Sequence, residues 1–433
     1  MQREVTNKLI EWQYKTRRKP LLIRGARQVG KTYTVRVFGN KVFPGKFHEI
    51  NLEKHPDWHS VFQVNLDVKR IISELELLLD ENINIETDLL FIDEVQECPQ
   101  AITALRYFYE DLPELHVIAA GSLLEFAIRD LPFPVGRVEL LNMHPLTLYE
   151  FLLANKKDKL ADIIGSKPQK LPSVIHNQLV ANLRQYFFIG GMPECVNHFA
   201  RHQRINEITD IQDDLINTFR QDFLKYSPKV DTRCLNNVLA SVAQQIGSQI
   251  KYSRLSEGFS NPTIKKAFKL LDTAKLITKV SSSTPAGLPL SANTTYKVFK
   301  AIFLDIGLLV RLSGLSIGHE FQKTNLLATY RGALAEQFIG QELRAAGQEL
   351  YYWRRNAKSS TAETDYLIAK GGQIIPIEVK SGSKGRLRSL HLLMKEFTNI
   401  PQAMVFLDAP YASQGNDQIK YLPLYDISGF LQE

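Results

Sequence analysis

The stretch Pro20–Gly39 reads PLLIRGARQVGKTYTVRVFG and decides the fold class of the N-terminal part of the chain. An apolar run typical of a buried strand is followed by Gly25-x4-Gly30-Lys31-Thr32 and then by a helical pattern, which is the required context of a phosphate-binding loop. The glycines let backbone N–H groups turn toward phosphate oxygens, and the helix N-terminus adds its positive dipole end. Lys31 is predicted to reach the β- and γ-phosphates of a nucleotide, and the Thr32 hydroxyl to bind Mg²⁺. The residues predicted to contact the nucleotide are Gly25, Ala26, Arg27, Gln28, Val29, Gly30, Lys31 and Thr32.

Two later strand ends extend this nucleotide site. Asp88–Gln96 reads DLLFIDEVQ, and its apolar run brings Asp93 to the C-terminal end of a strand, where parallel sheets bind ligands. Asp93 is predicted to hold Mg²⁺ through water and Glu94 to polarise the attacking water; the alternative is an acidic exit from a strand into a loop. His116–Ser122 reads HVIAAGS, and Ser122 is predicted either to sense the γ-phosphate or the water, or to cap the next helix.

Composition limits the broad class of protein. A chain of 433 residues is too long for one ordinary core and predicts several domains. Its 53 Lys and Arg against 46 Asp and Glu give a net charge of +7, which permits a polyanion partner without requiring one. Its 3 cysteines are far apart, and the N-terminus MQREVTNKLI carries charges where a signal peptide needs an apolar core. No run approaches the roughly 20 apolar residues of a membrane span, so the predicted location is the cytoplasm.

The pattern along the chain predicts successive domains. Alternating strands and helices over residues 1–155 predict a three-layer α/β core with a mainly parallel sheet. Polar helical sequence over residues 156–228 predicts a small helical lid. Residues 229–320 read as helix, short helix, basic helix and β-hairpin, which is the layout of a winged helix-turn-helix.

The basic helix of this third segment is the predicted DNA reader. Asn261 is predicted to cap it, because a proline and a threonine follow. Lys265, Lys266 and Lys269 lie on this helix, where a winged helix faces the DNA groove. The alternative is a protein-binding winged helix whose lysines are simply solvated.

Near the C-terminus, Gly371–Gly385 reads GGQIIPIEVKSGSKG. A two-residue hairpin turn at its Gly-Gly pair would place Asp365 directly opposite Glu378, with Cβ atoms roughly 5 Å apart. Two facing carboxylates repel each other unless a divalent cation is shared between them. Lys380 points to the same face as Glu378 because it lies two residues further along the strand. Glu336, on the preceding helix, would complete the cluster.

Six segments resemble one family of proteins. RGARQVGKT, NLE, FIDEVQ, AAGS, GRVELLNMHPLTLYEFL and IGGMPE occur in the order seen in a large bacterial and archaeal family of AAA-type or STAND-like ATPases with a C-terminal domain of unknown function. The resemblance covers essentially the whole chain and implies Mg²⁺-dependent ATP hydrolysis. It implies that Arg137 stabilises phosphate charge in a neighbouring subunit, although a structural arginine is an equal alternative. It also implies that Pro193 packs near the adenine, the alternative being a tight turn.

The order Glu…Asp…Glu-x-Lys resembles the PD-(D/E)xK, restriction-endonuclease-like superfamily. Over residues 321–433 this implies that Glu336, Asp365 and Glu378 bind Mg²⁺ or Mn²⁺ and that Lys380 is catalytic. Domains of this superfamily can keep the fold after losing activity. The residues predicted to line a phosphate path, or to form a solvated rim, are Arg354, Arg355, Lys384, Arg386 and Arg388.

The predicted protein is therefore a multidomain α/β chain with a P-loop three-layer α/β ATPase core, a helical lid, a winged helix and a C-terminal restriction-endonuclease-like α/β domain. Its predicted function is ATP hydrolysis that controls a DNA-directed, metal-dependent nuclease-like domain. One alternative is an ATP-driven switch that binds a protein partner and keeps an inactive nuclease-like scaffold. Another is a DNA-binding regulator without cleavage. A homo-oligomer follows only if Arg137 acts between subunits.

Overall fold

The computed structural model describes residues 1–127, 134, 136–226, 230–314, 331–357, 360–380, 387–411 and 418–432. They divide into two compact units, Gln2–His144 and Pro145–Glu433. Two of the basic residues predicted near the C-terminus, Lys384 and Arg386, lie outside the described residues.

A parallel sheet forms the centre of the first unit, with the strand order β2-β3-β4-β1-β5. Each neighbouring pair is parallel, as the alternating pattern predicted. Every side chain of β3 and β4 is buried, as expected for central strands covered on both faces. The strands are β1 Leu21–Arg24, β2 Phe47–Asn51, β3 Leu89–Asp93, β4 His116–Ala120 and β5 Glu139–Asn142.

Helices join these strands. Helix α4 shows why they form: Asp67 caps it by accepting from two backbone N–H groups, and its buried residues recur at helical spacing as Val68, Ile71, Ile72 and Leu75. The α-helices of this unit are α1 Val5–Gln13, α2 Lys31–Val42, α3 His59–Gln63, α4 Val68–Leu79, α5 Pro99–Asp111 and α6 Leu124–Ala127, with short 3₁₀ turns at Pro56–Trp58 and Val95–Glu97.

The second unit begins with helices. They are α7 Leu148–Ala154, α8 Asp158–Gly165, α9 Ser173–Ile189, α10 Pro193–His202, α11 Ile205–Tyr226, α12 Thr232–Gln244, α13 Asn261–Thr273, α14 Ile306–Leu312, α15 Arg331–Ala345, α16 Arg388–Glu396 and α17 Ile427–Gln432. Short 3₁₀ turns lie at Tyr252–Arg254, Leu290–Asn293 and Leu424–Asp426.

The unit starts eleven residues earlier than the predicted domain boundary between residues 155 and 156. Long-range hydrogen bonds explain the difference. Leu146 donates its N–H to Gly191 O at 2.7 Å and accepts from the Tyr186 hydroxyl at 2.5 Å. Leu148 N–H donates to Glu342 at 3.0 Å. The start of α7 is therefore held by helices that follow it in the chain.

A seven-stranded mixed sheet runs through the rest of this unit, in the order β12-β11-β10-β9-β8-β6-β7. The strands are β6 Ile277–Ser283, β7 Thr294–Phe303, β8 Tyr351–Arg354, β9 Glu363–Lys370, β10 Gln373–Lys380, β11 Ala403–Leu407 and β12 Ile419–Pro423. The hairpin β6–β7, predicted as the wing of a separate domain ending at residue 320, pairs with β8 through Ser281–Tyr351 and Ser282–Tyr352. The predicted boundary at residue 320 therefore lies between strands of one sheet. The pairing gives the edge of the β6–β7 hairpin a partner from the later segment.

The hairpin β9–β10 has the predicted register. Gln373 pairs with Lys370 and Ile377 with Tyr366, and this register places Asp365 opposite Glu378. Both turn glycines, Gly371 and Gly372, have positive φ values, as the tight turn requires. The cap of α13 differs by one residue from the prediction: Ser260 accepts from Thr263 N–H, and Asn261 is the first helical residue.

Candidate functional site

The loop between β1 and α2 is closely packed. A Cβ atom on Gly25 would lie 2.3 Å from Met143 O, so only glycine fits there. Gly30 is the N-cap of α2, and the helix begins at Lys31. Arg3, which no sequence motif marks, donates to Val29 O at 3.1 Å and so holds the loop. A helix N-terminus and loop N–H groups of this kind favour an anionic ligand.

Lys31 is buried, and its hydrogen-bond acceptors among the described residues are neutral oxygens. Its Nζ lies 2.9 Å from Ala26 O, 3.3 Å from Gly25 O and 3.3 Å from Ser122 Oγ. Burial lowers the pKa of Lys31 to about 8, although the charges of Glu94 and Asp93 oppose the shift. A buried ammonium group that lacks a paired anion favours an anionic ligand.

Asp93 and Thr32 meet at the C-terminal edge of the sheet. Thr32 Oγ1 donates to Asp93 at 3.0 Å from Oδ2 and 3.1 Å from Oδ1. Asn51, the last residue of β2, donates to Asp93 Oδ2 at 3.1 Å. Burial and the neighbouring charge of Glu94 raise the pKa of Asp93 to about 6. A hydroxyl and a carboxylate at one strand end are oxygen donors of the kind Mg²⁺ prefers, so these residues fit the predicted ion.

Glu94 directly follows the strand in a left-handed backbone conformation with φ of 50°. A non-glycine residue with positive φ is uncommon, and such backbone strain concentrates at functional sites. Its Oε2 accepts from Gln96 Nε2 at 2.7 Å. Gln96 and Asn51 were missed from the sequence. Asn51 ends β2, and its contact with Asp93 depends on the pairing of β2 with β3.

Arg137, Arg27 and Pro193 are three further predicted residues. Arg137 is exposed and its Nε donates to Glu110 at 3.1 Å, which supports the structural alternative without testing a role between subunits. Arg27 Nη2 lies 3.9 Å from Glu53. Pro193 is the first residue of α10 in the second unit. Its predicted adenine contact stays a prediction.

The C-terminal cluster joins the carboxylates that the sequence predicted. Asp365 Oδ2 accepts from Val379 N–H at 2.8 Å, which locks its side chain to β10. Lys380 Nζ lies 2.5 Å from Glu378 Oε1. Burial and the charge of Asp365 raise the pKa of Glu378 to about 7, and its Oε2 has no hydrogen-bond partner among the described residues.

Lys300, on β7, lies at the centre of this cluster and was missed from the sequence. Its Nζ is 2.5 Å from Glu363 Oε1, 2.8 Å from Glu336 Oε1 and 3.2 Å from Asp365 Oδ1. Lys300 is 2% exposed. Burial would lower its pKa, but the charges of Glu336, Asp365 and Glu363 hold the pKa well above its ordinary value.

The sequence did contain a signal for Lys300. It stands inside the apolar run VFKAIF, and a charge in a buried strand needs a partner. Within the described ranges, no group of three or more His, Cys, Asp and Glu side chains is arranged to hold a metal ion. Metal binding by Glu336, Asp365 and Glu378 therefore stays a prediction from the sequence.

A basic cavity of about 750 Å³ opens beside the start of α13. Its charged lining residues are Lys251, Lys265, Lys297 and Arg354, with no aspartate or glutamate among the residues that line it. Of the three lysines predicted to face DNA, only Lys265 lines the cavity. The positive lining and the helix N-terminus favour a phosphate-rich ligand.

Comparisons with known proteins agree with the geometry of the first unit. Residues 17–152 match the family model described as AAA domain. Residues 180–317 and 331–427 match two further models, each described as a domain of unknown function, DUF8612 and DUF4143. The loop between β1 and α2 lies within the residues that match the AAA model, so the family match and the loop geometry together support an AAA-type P-loop domain. No curated protein matches the chain.

Solved structures match the chain at low identity and with TM-scores below 0.5. The Walker-type ATPase PABY2304 of Pyrococcus abyssi is 15% identical, with a TM-score of 0.45 over 72% of this chain and 95% of that chain. ORC1 of Aeropyrum pernix, solved in complex with DNA, is 13% identical, with a TM-score of 0.29 over 72% and 90%. RuvB of Thermotoga maritima, a Holliday junction branch migration motor, is 13% identical, with a TM-score of 0.30 over 65% and 90%. These values say nothing of what this chain binds. In the part of the chain that is described, no helix has the length and apolar character to span a membrane.

Proposed function

We propose that the protein binds and hydrolyses ATP with Mg²⁺ at the loop between β1 and α2. The observation that carries the proposal is Lys31, a buried cation whose acceptors are all neutral oxygens. Lys31 would exchange these carbonyl contacts for the β- and γ-phosphates, and loop N–H groups would hold the phosphate oxygens. Thr32 and Asp93 would hold Mg²⁺, which when bound neutralises phosphate charge.

Glu94 and Ser122 would act beside the γ-phosphate. Glu94 follows the strand that ends at Asp93, so its carboxylate can orient a water molecule. Ser122 already contacts Lys31 Nζ and would report whether the phosphate is present. Arg137 is our candidate for charge supplied from a neighbouring copy of the chain.

Steady-state ATP hydrolysis tests this proposal. Lys31→Ala should lower turnover by roughly 100-fold or more, because it removes a charge that stabilises the transferred phosphate. Glu94→Gln should lose turnover but keep ATP binding. Lys46→Ala, at an exposed lysine of the same unit, is the matched control. Wild-type turnover in Lys31→Ala would refute the assigned site.

We further propose that the nucleotide state controls a DNA-directed second unit in the cytoplasm. The basic cavity at the start of α13 supports this, because four cations from separate segments converge on it. In this proposal α12, α13 and the β6–β7 hairpin form the winged helix, and β8–β10 form part of the nuclease-like fold. The alternative remains a switch that binds a protein partner.

Binding of a labelled DNA duplex, followed by fluorescence anisotropy over a salt series, separates these alternatives. Lys265→Gln combined with Lys297→Gln should weaken binding and lower the salt slope by about 1 for each lost phosphate contact. Lys266→Gln combined with Lys269→Gln removes the same charge from the same region outside the cavity. Equal losses in both double variants would point to general charge rather than the cavity. No DNA binding in the wild type would favour the protein partner.

A further inference from the structure

Three carboxylates surround one ammonium group in the C-terminal cluster. Lys300 Nζ has three N–H donors, and Glu336, Glu363 and Asp365 each place an oxygen within 3.2 Å of it. Lys300 therefore has a complete set of acceptors inside the fold.

The same contacts engage four of the six carboxylate oxygens of Asp365, Glu336 and Glu378, and leave Glu378 Oε2 without a partner among the described residues. Asp365 gives Oδ1 to Lys300 and Oδ2 to Val379 N–H. Glu336 gives Oε1 to Lys300, and Glu378 gives Oε1 to Lys380. A divalent cation among these groups would also lie beside a buried ammonium, and like charges repel strongly where water is excluded. The side chains as arranged do not fit a metal site.

The cation comes from a different part of the chain. Lys300 belongs to the segment 180–317 that matches one family model, whereas Glu336, Glu363 and Asp365 belong to the segment 331–427 that matches another. Glu363 also accepts from Gln249 Nε2, and Gln249 Oε1 accepts from Arg354 in the wall of the basic cavity. The cluster therefore connects the two segments with each other and with that cavity.

We propose that Lys300 is the resident cation of this cluster in place of a divalent metal, and that the cluster fastens β7 to α15 and β9 instead of cutting DNA. The inference rests on the proposed nuclease-like assignment of the second unit. It is independent of ATP hydrolysis, so loss of either proposal leaves the other standing.

Binding of Mn²⁺ to the full chain without nucleotide, followed by electron paramagnetic resonance, tests the inference. Wild type and Asp365→Asn should bind the same number of Mn²⁺ ions, since any ion at Thr32 and Asp93 is common to both. One more ion in the wild type than in Asp365→Asn would overturn the proposal. So would wild-type DNA cleavage with Mn²⁺ that Asp365→Asn abolishes.

Lys300→Met provides the converse measurement. Removal of the ammonium should create one additional Mn²⁺ site, and Lys300→Met combined with Asp365→Asn should lose it. Lys420→Met, at an exposed lysine on β12 of the same sheet, is the matched control and should bind as the wild type does. A folded Lys300→Met protein that binds no additional ion would contradict the idea that lysine takes the place of a metal. If Lys300→Met does not fold, the comparison of wild type with Asp365→Asn decides.

Discussion

Lys31 and Lys300 are both buried lysines close to strand ends and carboxylates, yet their surroundings are opposite. Lys31 donates to two backbone carbonyl groups and a serine, and burial lowers its pKa to about 8. Lys300 donates to three carboxylates, and its pKa is held well above the ordinary value. The charge of Lys31 is therefore left for a ligand, whereas the charge of Lys300 is used within the fold.

This contrast separates a binding site from a structural site more clearly than either sequence motif does. Glu-x-Lys suggested catalysis as readily as Gly-Lys-Thr did. What distinguishes the two sites is whether the buried cation already has anions, because an uncompensated buried charge destabilises the free protein until a ligand arrives.

The largest expected effect is on stability at the C-terminal cluster. Lys300→Met should lower the free energy of unfolding by about 3–5 kcal/mol, because it leaves buried carboxylates without their counter-charge. Urea unfolding measures this, with Lys297→Met expected within about 0.5 kcal/mol of wild type. A Lys300→Met protein as stable as Lys297→Met would break the contrast.

The free energy of unfolding should rise with pH through the titration of Lys31, whose pKa is lowered by burial. This is opposite in sign to the dependence expected for Lys300, whose pKa is raised. Between the folded pKa of Lys31, about 8, and the ordinary value of 10.5, the unfolded chain binds a proton that the folded chain has lost. Stability from this group therefore rises with pH in that window, by about 2 kcal/mol up to roughly pH 9.5. The difference between wild type and Lys31→Met, measured in EDTA without nucleotide, isolates this rise. A flat difference would contradict the assigned shift.

At neutral pH, Lys31→Met in the nucleotide-free protein should raise the free energy of unfolding by about 1–2 kcal/mol, because removal of the poorly solvated charge outweighs the lost hydrogen bonds. Thermal unfolding without ATP measures this stabilisation, and thermal unfolding with ATP measures whether the variant still responds to the nucleotide. ATP should raise the Tm of the wild type and leave the variant unchanged. Destabilisation of the nucleotide-free variant would show that Lys31 is needed for the fold.

The smallest effect is expected at Lys380. Lys380→Met should cost about 1 kcal/mol, because Lys380 is 28% exposed and has one carboxylate partner, and because the buried Glu378 that it leaves, whose pKa is raised to about 7, can take up a proton. Urea unfolding beside Lys300→Met gives the comparison directly. Equal losses at the two lysines would mean that burial is not what distinguishes them.

Local pattern was sufficient to predict much of both sites. The loop of Lys31, the strand end at Asp93 and the register of Asp365 with Glu378 each depend on residues close together in sequence or on one tight turn. Periodicity and turn chemistry determine such features, so they can be read without knowledge of distant partners.

The features that were missed depend on contacts between distant segments. Asn51 reaches Asp93 only because β2 pairs with β3. Lys300 reaches Glu336 and Asp365 only because β6–β7 joins the sheet of the later strands. Sequence patterns within each segment do not encode which edge strands will meet, so the pairing of β6 with β8 was not predicted.

The shared sheet limits where the chain can be divided into independent fragments. A fragment that begins at residue 331 would keep Glu336, Glu363 and Asp365 but lose the lysine that neutralises them. Its core would expose the edge of β8 and hold uncompensated negative charge. The two segments of unknown function are therefore not interchangeable modules: a gene rearrangement that separates them would have to replace a counter-ion as well as a strand.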